Sequence, residues 1–391
     1  MGSDIDGEAA NDESASGVSL SSDGSVLAVG APLNSGTGPG SGHVRVYAWN
    51  SSASRWDQRG SDINGEASLD SSGSAVSLSS DGSVVAIGAP YNDGNGSDSG
   101  HVRVYMWNAG TSTWTQRGGD IDGEYAGDQS GWAVSLSADG TVVAIGARFN
   151  DGGGSNSGHV RTYAWDASTS SWLQRGSDLD GAAAGDLAGF AVSLWGDGSV
   201  VAVGSYLADR SGATNVGRVT VFGWSGSSWV SSGSVEGEAA GDSFGYSVSL
   251  ARDYLTLAVG APNNDGAGSG AGHTRVYEWN GSSWAQRGTD LDGEAAGDFS
   301  GRSVSLSADG QYVAIAAPWN DGSYSQSGSV RVFGWSGTSW SQRGVDLDGE
   351  ALDDESGYAL SISGDASTVA IGSRQNDGSG TSAGHVRVYR W

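Results

Sequence analysis

The chain contains no cysteine and no lysine, and only five of its 391 residues are proline. Without cysteine it has no disulfide, no thiolate nucleophile and no cysteine-ligated zinc. Without lysine it has neither a Schiff-base amine nor the phosphate-binding lysine of a P-loop. The two absences exclude several whole classes of catalytic and metal site.

Positive charge is also scarce. Asp and Glu number 45 against 19 cations, all of them Arg, which gives a net charge of −26. Such a surface repels nucleic-acid backbones and anionic lipid headgroups. We therefore expect no nucleic-acid partner and no direct membrane insertion, and a surface suited to cations, neutral sugars or basic proteins.

The first residues carry no basic segment followed by an apolar run, so we expect no signal peptide in this sequence. No stretch approaches the length of a membrane span. We expect a monomeric domain of a longer, exported protein, placed outside the cell or on its surface.

Seven copies of one motif dominate the chain. The run GSDIDGEA begins at Gly2, and its equivalents follow at steps of 58, 58, 58, 56, 56 and 56 residues. A period of this size is typical of propellers and solenoids. The repeats comprise residues 2–59, 60–117, 118–175, 176–231, 232–287, 288–343 and 344–391, and we treat them as a single domain.

Each copy reads as four short strands. In the second copy, Ala75–Ser79 alternates between apolar and polar residues and leads into the tight turn Ser80–Gly82. The apolar run Val84–Ala89 follows, and then His101–Trp107 and Trp114–Arg117. A four-stranded sheet can bury both faces only between neighbours, which predicts an all-β, seven-bladed propeller of antiparallel blades. The seventh copy stops early, so we expect three strands in the last blade, patched by residues near Met1–Ile5.

Tryptophan recurs at two positions of the repeat. Because a wedge of sheets needs large apolar side chains between its blades, we expect these residues to form the core and not to stack on a ligand. They are Trp49, Trp107, Trp165, Trp224, Trp279, Trp335 and Trp391 at one position, and Trp56, Trp114, Trp172, Trp229, Trp284 and Trp340 at the other.

The fifth copy carries Phe244-Gly245 and then Gly260-Ala261-Pro262 on either side of a predicted hairpin. This pattern resembles the FG-GAP repeat of the integrin α-subunit head. The resemblance implies a seven-bladed propeller used in extracellular adhesion or ligand recognition. The calcium loops of that family lie between the two elements, where this chain has only a short turn such as Ser80–Gly82.

Acidic residues concentrate in the connectors between copies, which have the form Asp-x-Asp-Gly-Glu. Carboxylates in Gly-rich loops are ligands that Ca²⁺ accepts, although turns stabilised by Asp explain the same pattern. No cofactor is required by the sequence, and Ca²⁺ is the candidate ion. The candidate ligands are Asp120, Asp122, Glu124, Asp128, Asp290, Asp292, Glu294, Asp298, Asp346, Asp348 and Glu350.

The loops between the second and third strands should lie on the same face as these connectors. Asn92-Asp93 is the clearest polar pair, and the aberrant fourth copy adds Asp209 and Arg210. Aromatic residues in these loops would provide a stacking surface for a sugar. The candidates are Tyr91, Phe149, Tyr206, Trp319 and Tyr324.

All five histidines open the third strand, at one repeat position, so we expect no pair of them to meet. No Ser-His-Asp spacing stands out, and we identify no convergent, non-repeated polar residues near the axis. The sequence therefore predicts a non-catalytic module that presents acidic loops to a protein or glycan. Two alternatives are a lectin with repeated sites between blades and a purely structural array.

Overall fold

The computed structural model describes residues 1–252 and 255–391. These residues form seven antiparallel sheets arranged as a seven-bladed propeller, and the described residues contain no helix. The predicted fold class is therefore confirmed. We number the blades one to seven along the chain.

The innermost strand of each blade is short and lines the axis. These strands are Gly17–Leu20, Ala75–Leu78, Ser130–Leu136, Ala191–Leu194, Ser247–Leu250, Ser303–Leu306 and Ala359–Ile362. Second strands are almost entirely buried, as expected of an apolar strand that is covered on both faces. They are Val26–Ala31, Val84–Ala89, Val142–Ala147, Val200–Ser205, Thr256–Ala261, Tyr312–Ala317 and Thr368–Ser373.

The third strand of each blade lies between the second strand and the outer edge of the sheet. The third strands are His43–Asn50, His101–Asn108, His159–Asp166, Arg218–Trp224, His273–Trp279, Ser329–Trp335 and His385–Arg390. Each pairs with an outer strand, whose first part is Arg55–Gln58, Thr113–Gln116, Ser171–Gln174, Trp229–Glu236, Trp284–Gln286 and Trp340–Gln342 in blades one to six.

A second outer segment departs from the sequence prediction. The second and third residues of the Asp-x-Asp-Gly-Glu connector are not loop but pair with the third strand. The apolar residue there is buried, and Ile121, for example, pairs with Val102. In blade four the outer strand is continuous. These segments are Ile63–Asn64, Ile121–Asp122, Leu179–Asp180, Leu291–Asp292, Leu347–Asp348 and, in blade seven, Ile5–Asp6.

The start of the chain closes the ring. Ile5 pairs with Val386 on the third strand of blade seven, and the terminal amine of Met1 donates to the carbonyl of Val388. Blade seven thus has three long strands completed by the first residues, in agreement with the sequence.

Seven equivalent hydrogen bonds join neighbouring inner strands. In each, the backbone N–H near the end of one inner strand donates to a serine hydroxyl of the preceding blade at 2.9–3.1 Å. The bond from Leu20 N to Ser361 Oγ at 3.0 Å crosses from blade one to blade seven. The ring of bonds is therefore unbroken.

Glycine explains how closely the blades approach one another. A Cβ placed on Gly88 would lie 2.0 Å from the carbonyl oxygen of Gly131 at the start of the next inner strand. Gly131 itself has φ +87°, a conformation that side chains rarely adopt. The glycines of the Gly-Ala-Pro and Phe-Gly elements are thus the two sides of one contact between blades.

The recurring tryptophans lie at the outer rim and are half-buried, except for the exposed Trp391. Those at the second position pack against the buried clusters, so they border the core and do not form its centre. They do pair across strands, as Trp107 and Trp114 do with ring centroids 5.3 Å apart. Arg59 of the preceding blade covers Trp107 at 4.7 Å, and its carbonyl accepts the Trp114 indole N–H at 2.7 Å. The predicted contact between blades is therefore present, but the core consists of the small aliphatic residues nearer the axis.

We expect the closing segment to contribute measurably to stability. Ile5 is 7 % exposed, and replacing it with serine removes buried apolar surface worth about 2 kcal/mol. The melting temperature of Ile5→Ser, followed by circular dichroism, should fall by several degrees. Val345→Ser, at a site 81 % exposed, is the matched control and should melt like the parent. Equal melting of the two variants would show that the ring does not depend on its first residues.

Candidate functional site

The inner strands enclose a cavity of about 420 Å³ that opens on one face of the ring. Its floor is a ring of aliphatic side chains, one from each blade. They are Val18, Val76, Val134, Val192, Val248, Val304 and Leu360. Two residues further along each strand a second ring borders a separate cavity of about 120 Å³ at the other end, formed by Leu20, Leu78, Leu136, Leu194, Leu250, Leu306 and Ile362. The two cavities share no lining residue.

The wall above this floor differs from blade to blade. Each blade contributes one residue, two positions before the aliphatic ring, and all seven line the cavity. They are Ser16, Ser74, Trp132, Phe190, Tyr246, Arg302 and Tyr358 in blades one to seven. Five large side chains thus face the two serines of blades one and two, where space remains. This wall breaks a repeat that elsewhere changes little between copies.

The large side chains pack as one aromatic cluster. Phe190 lies between Trp132 and Tyr246, with centroids at 5.7 and 4.7 Å, and Tyr206 stacks on Phe190 at 4.4 Å. Burial raises the pKa of Tyr246 above its usual value, so its hydroxyl stays protonated at neutral pH. The cluster provides a rigid apolar face with hydroxyl groups at its edge.

Three arginines lie around the cluster. Arg148 covers the Trp132 ring with its guanidinium carbon 3.1 Å from the centroid, and it donates to Gln129 at 2.9 Å. Burial lowers the pKa of the Arg148 guanidinium from its usual value. Arg374 lies 3.6 Å from the Tyr358 ring.

Arg374 is also paired with acid. Its Nε is 2.9 Å from a carboxylate oxygen of Glu355, and its NH1 is 3.8 Å from Glu13. Its charge is therefore balanced within the protein.

Arg302 lines the cavity and differs from Arg374, which is paired with acid. Its guanidinium lies between the rings of Tyr246 and Tyr358, at 4.7 and 4.4 Å. Among residues 1–252 and 255–391 no carboxylate lies within ion-pair distance of it. A cation held between aromatic rings and lining a cavity is suited to an anionic group of a ligand.

Two predicted ligand residues belong to the axial cavity or its aromatic cluster. Tyr91 lines the cavity and Tyr206 is part of the aromatic cluster. Phe149 lies 4.5 Å from the guanidinium of Arg148, beside that cluster, whereas Trp319 packs on Phe299 at 5.2 Å outside the cavity lining. Tyr324 is 55 % exposed in a loop.

The predicted polar loop residues mostly bind their own loops. Asn92 is buried and donates to Asp70 at 3.1 Å, and Asp93 accepts the N–H of Asp98 at 2.9 Å. In the aberrant fourth copy, Asp209 accepts the N–H of Asn215 at 2.8 Å. Arg210 donates to the carbonyls of Gly237 and Glu238 at 3.0 and 2.7 Å.

Two predicted metal ligands are buried in hydrogen-bonded turns. Asp128 accepts from the side chain of Asn150 at 2.9 Å and from the N–H of Tyr125 at 3.2 Å. Asp298 accepts in the same way from Asn320 at 3.0 Å and from the N–H of Ala295 at 2.9 Å. These contacts join each connector to the loop that follows its blade's second strand.

The remaining connector acids divide between neighbouring blades. Asp120, Glu124, Asp290 and Glu350 lie in four separate groups, each with one histidine and one further acid. Three other predicted ligands are contacted through the backbone. The backbone carbonyls of Asp122, Asp292 and Asp348 accept hydrogen bonds from Arg161, Arg331 and Arg387.

The last two predicted metal ligands also have partners within the protein. Glu294 lies 3.8 Å from Arg331, and Asp346 accepts from Gln342 at 2.5 Å. The acids of one connector therefore do not converge on a common point. The described residues do contain acid–histidine groups whose spacing could hold a metal.

Sequence reasoning missed Trp132, Tyr246, Arg302, Tyr358 and Arg374. The signal was present, because aligning the seven copies shows one position that carries Ser, Trp, Phe, Tyr or Arg two residues before a Val or Leu, preceded by Gly in six copies and by Ala15 in the first. Its alternation with the buried positions of the strand places it toward the axis. The expectation that no convergent, non-repeated polar residues lie near the axis is wrong.

Comparisons with known proteins agree with this fold. Residues 122–163 and 236–277 match the FG-GAP repeat, which confirms the resemblance seen in the sequence. No curated protein matches the chain by sequence. In the described residues, no helix has the length and apolar character needed to cross a bilayer.

Solved structures share the propeller at low identity. A protein of Bacteroides uniformis assigned as a 6-phosphogluconolactonase has TM-score 0.60 and 11 % identity over 86 % of each chain. The periplasmic gluconolactonase of Pseudomonas aeruginosa has TM-score 0.58 and 15 % identity over 86 % of this chain and 87 % of that one. Hydrazine synthase of Kuenenia stuttgartiensis has TM-score 0.58 and 12 % identity over 100 % of this chain and 97 % of that one. At such identities the likeness concerns the fold alone.

These findings correct the functional prediction. Propellers of the same fold are named as lactonases, and the axis of this one carries the convergent polar residues whose absence was the reason for predicting no catalysis. The prediction of a non-catalytic module that presents acidic loops is therefore wrong. Its lectin and purely structural alternatives fall with it, because the non-repeated feature is the axial cavity.

Proposed function

We propose that the axial cavity binds a small anionic ring compound, a sugar lactone carrying a phosphate or carboxylate, and that the protein hydrolyses it. The observation that carries the proposal is Arg302, which lines the axial cavity between two tyrosine rings and has no carboxylate partner among the described residues. A ligand anion would supply the missing partner through charge-assisted hydrogen bonds.

The rest of the cavity suits the ring of such a compound. Sugar rings pack their C–H faces on aromatic surfaces, and Phe190 and Tyr246 provide one. Ser16 and Ser74 leave space on the opposite side and offer hydroxyl groups. The volume of about 420 Å³ is that of a small-molecule site.

Hydrolysis requires a base for water and a cation for the developing oxyanion. Glu13 lines the cavity and is anchored by Arg374 at 3.8 Å. In the proposed step a water adds to the lactone carbonyl while Glu13 takes its proton. The ring C–O bond then breaks, and the proton passes to the departing ring oxygen, giving the hydroxy acid. The names of the lactonases of like fold support this choice of reaction.

The experiment is a ring-opening assay at constant pH on 6-phosphogluconolactone and on neutral glucono-δ-lactone. We expect acceleration above the spontaneous rate, larger for the phosphorylated substrate, and a loss of at least tenfold in Glu13→Gln. Glu278→Gln, in an exposed strand position far from the axis, is the control. A rate equal to the spontaneous one with both lactones would refute the proposal.

Four earlier expectations stay predictions. We propose an extracellular or cell-surface location, which the FG-GAP repeats support, and a place within a longer polypeptide. The net charge of −26 supports the absence of nucleic-acid partners. Ca²⁺ at the acidic connectors also stays a prediction, and an unchanged melting temperature on adding Ca²⁺ would contradict it.

A further inference from the structure

Five blades carry a histidine between two acids from different connectors. In each group one ligand atom from each of the three residues lies within 4.8 Å of the other two. The groups are Glu8–His43–Asp62, Glu66–His101–Asp120, Glu124–His159–Asp178, Glu238–His273–Asp290 and Asp4–Glu350–His385. The last forms only because the start of the chain closes the ring.

The distances in these groups are unusual for hydrogen bonds. His43 Nδ1 is 3.9 Å from Glu8, and the equivalent distances for His101 and His159 are both 3.8 Å. These distances between Nδ1 and a carboxylate oxygen are longer than an N–H···O bond and too short for a bridging water. Two ligands bound to one ion at about 2.1 Å are separated by about 3–4 Å. The spacing is therefore that of neighbouring ligands on a shared metal.

The histidines supply a second, independent observation. His43 is 1 % exposed, its Nδ1 faces the group at 3.9 Å from Glu8, and its Nε2 is buried with no hydrogen-bond partner among the described residues. It lines a cavity together with Glu8 and Asp62, which gives an ion a path from solvent.

The groups differ in how closely an arginine already pairs with their acids. In blades one to three the nearby arginine is 3.6–3.8 Å from the other oxygen of the same glutamate, which leaves one oxygen free. In blade five Arg275 binds both oxygens of Asp290 at 3.0 Å and also contacts Glu238. The acids of this blade-five group are therefore already neutralised. In blade seven Arg387 lies 3.4 Å from one oxygen of Glu350 and 3.9 Å from Asp4, distances close to those of the arginines in blades one to three. Blades four and six have Arg218 and Ser329 in place of histidine.

We propose that blades one, two, three and seven each bind one divalent transition-metal ion, for which Zn²⁺ serves as the probe. The ligands are the histidine Nδ1 and one carboxylate from each of the two flanking connectors. Imidazole with carboxylates suits Zn²⁺ and its neighbours in the first transition row better than Ca²⁺, which prefers oxygen alone. The proposal is independent of the axial cavity and of any activity there.

Calorimetric titration of chelator-treated protein with ZnCl₂ at pH 7.5 tests it. We expect four equivalents per chain, retained in a large excess of Ca²⁺. His43→Gln should lower the number to three, with circular dichroism showing that the fold persists. Ser329→His should raise it to five, because Glu294 and Asp346 take the same contacts in blade six as their equivalents elsewhere.

Three outcomes would overturn the proposal. They are no binding by folded protein, displacement of Zn²⁺ by Ca²⁺, and a stoichiometry that neither substitution changes, which would place the ions on surface carboxylates. Should His43→Gln fail to fold, Ser329→His still decides the question. Its five equivalents would support the sites, and an unchanged four would contradict them.

Discussion

Replacement of Arg302 by alanine should weaken binding of a phosphorylated ligand at the axis by roughly 10- to 100-fold. A hydrogen bond to a charged group is worth about 1.5–3 kcal/mol, and each 1.4 kcal/mol is a factor of ten in affinity. Arg302 is the arginine of the cavity whose charge no carboxylate of the described residues balances. Because no acid is paired with Arg302, the substitution removes its attraction for the ligand anion and leaves no carboxylate newly unpaired in the cavity.

The measurement is calorimetric binding of 6-phosphogluconate, the product of the proposed reaction. Binding of the uncharged lactone should change much less, because it has no anion for Arg302 to hold. Arg252→Ala is a matched control, since Arg252 lines the separate cavity on the other side of the aliphatic rings. Equal affinity of the parent and Arg302→Ala, or equal losses in both variants, would show that this arginine does not recognise the ligand.

Gly88→Ala should be among the most destabilising single substitutions in the chain. Its Cβ would lie 2.0 Å from the carbonyl oxygen of Gly131, and backbone cannot move aside as a flexible side chain can. Overpacking of this kind costs about 1–3 kcal/mol, and the rigid contact between blades places the cost at the upper end of that range.

Urea unfolding checks this expectation against a glycine that makes no close contact. Gly119 has nothing within 4 Å of a built Cβ, so Gly119→Ala should stay within about 0.5 kcal/mol of the parent. Blade six already carries Ala316 at the position of Gly88. The ring therefore tolerates one such residue, and the cost should appear as lost stability with the fold retained. Identical midpoints for the two variants would mean that the blades are not packed as tightly as described.

The sequence predicted the repeated part of the molecule well. Period, hairpin turns and buried second strands such as Val84–Ala89 follow from local alternation and turn chemistry, which repeat seven times and so reinforce one another. The split outer strand was missed because two residues, such as Ile121 and Asp122, are too few to show alternation. The tryptophans were placed too deep, since large apolar residues also cover the outer edge of a blade.

The axial site was missed for a different reason. Repeat analysis gives weight to what the copies share, whereas Trp132, Arg302 and their equivalents are what the copies do not share. The acid–histidine groups were missed because each combines residues from two connectors that are distant in the sequence, about 20 to 55 positions apart in four groups and near opposite ends of the chain for Asp4 and His385. Only the pairing of the connector with the third strand shows that Glu8, His43 and Asp62 meet.

The wall of the axial cavity has a consequence for how such a protein can change. Every blade places one side chain at the same height, and the backbone bonds that hold the ring involve other positions. Substitutions at these positions alter the shape and charge of the cavity one blade at a time and leave the hydrogen bonds between the blades in place. New ligand preferences are therefore within reach of point changes that leave the architecture intact.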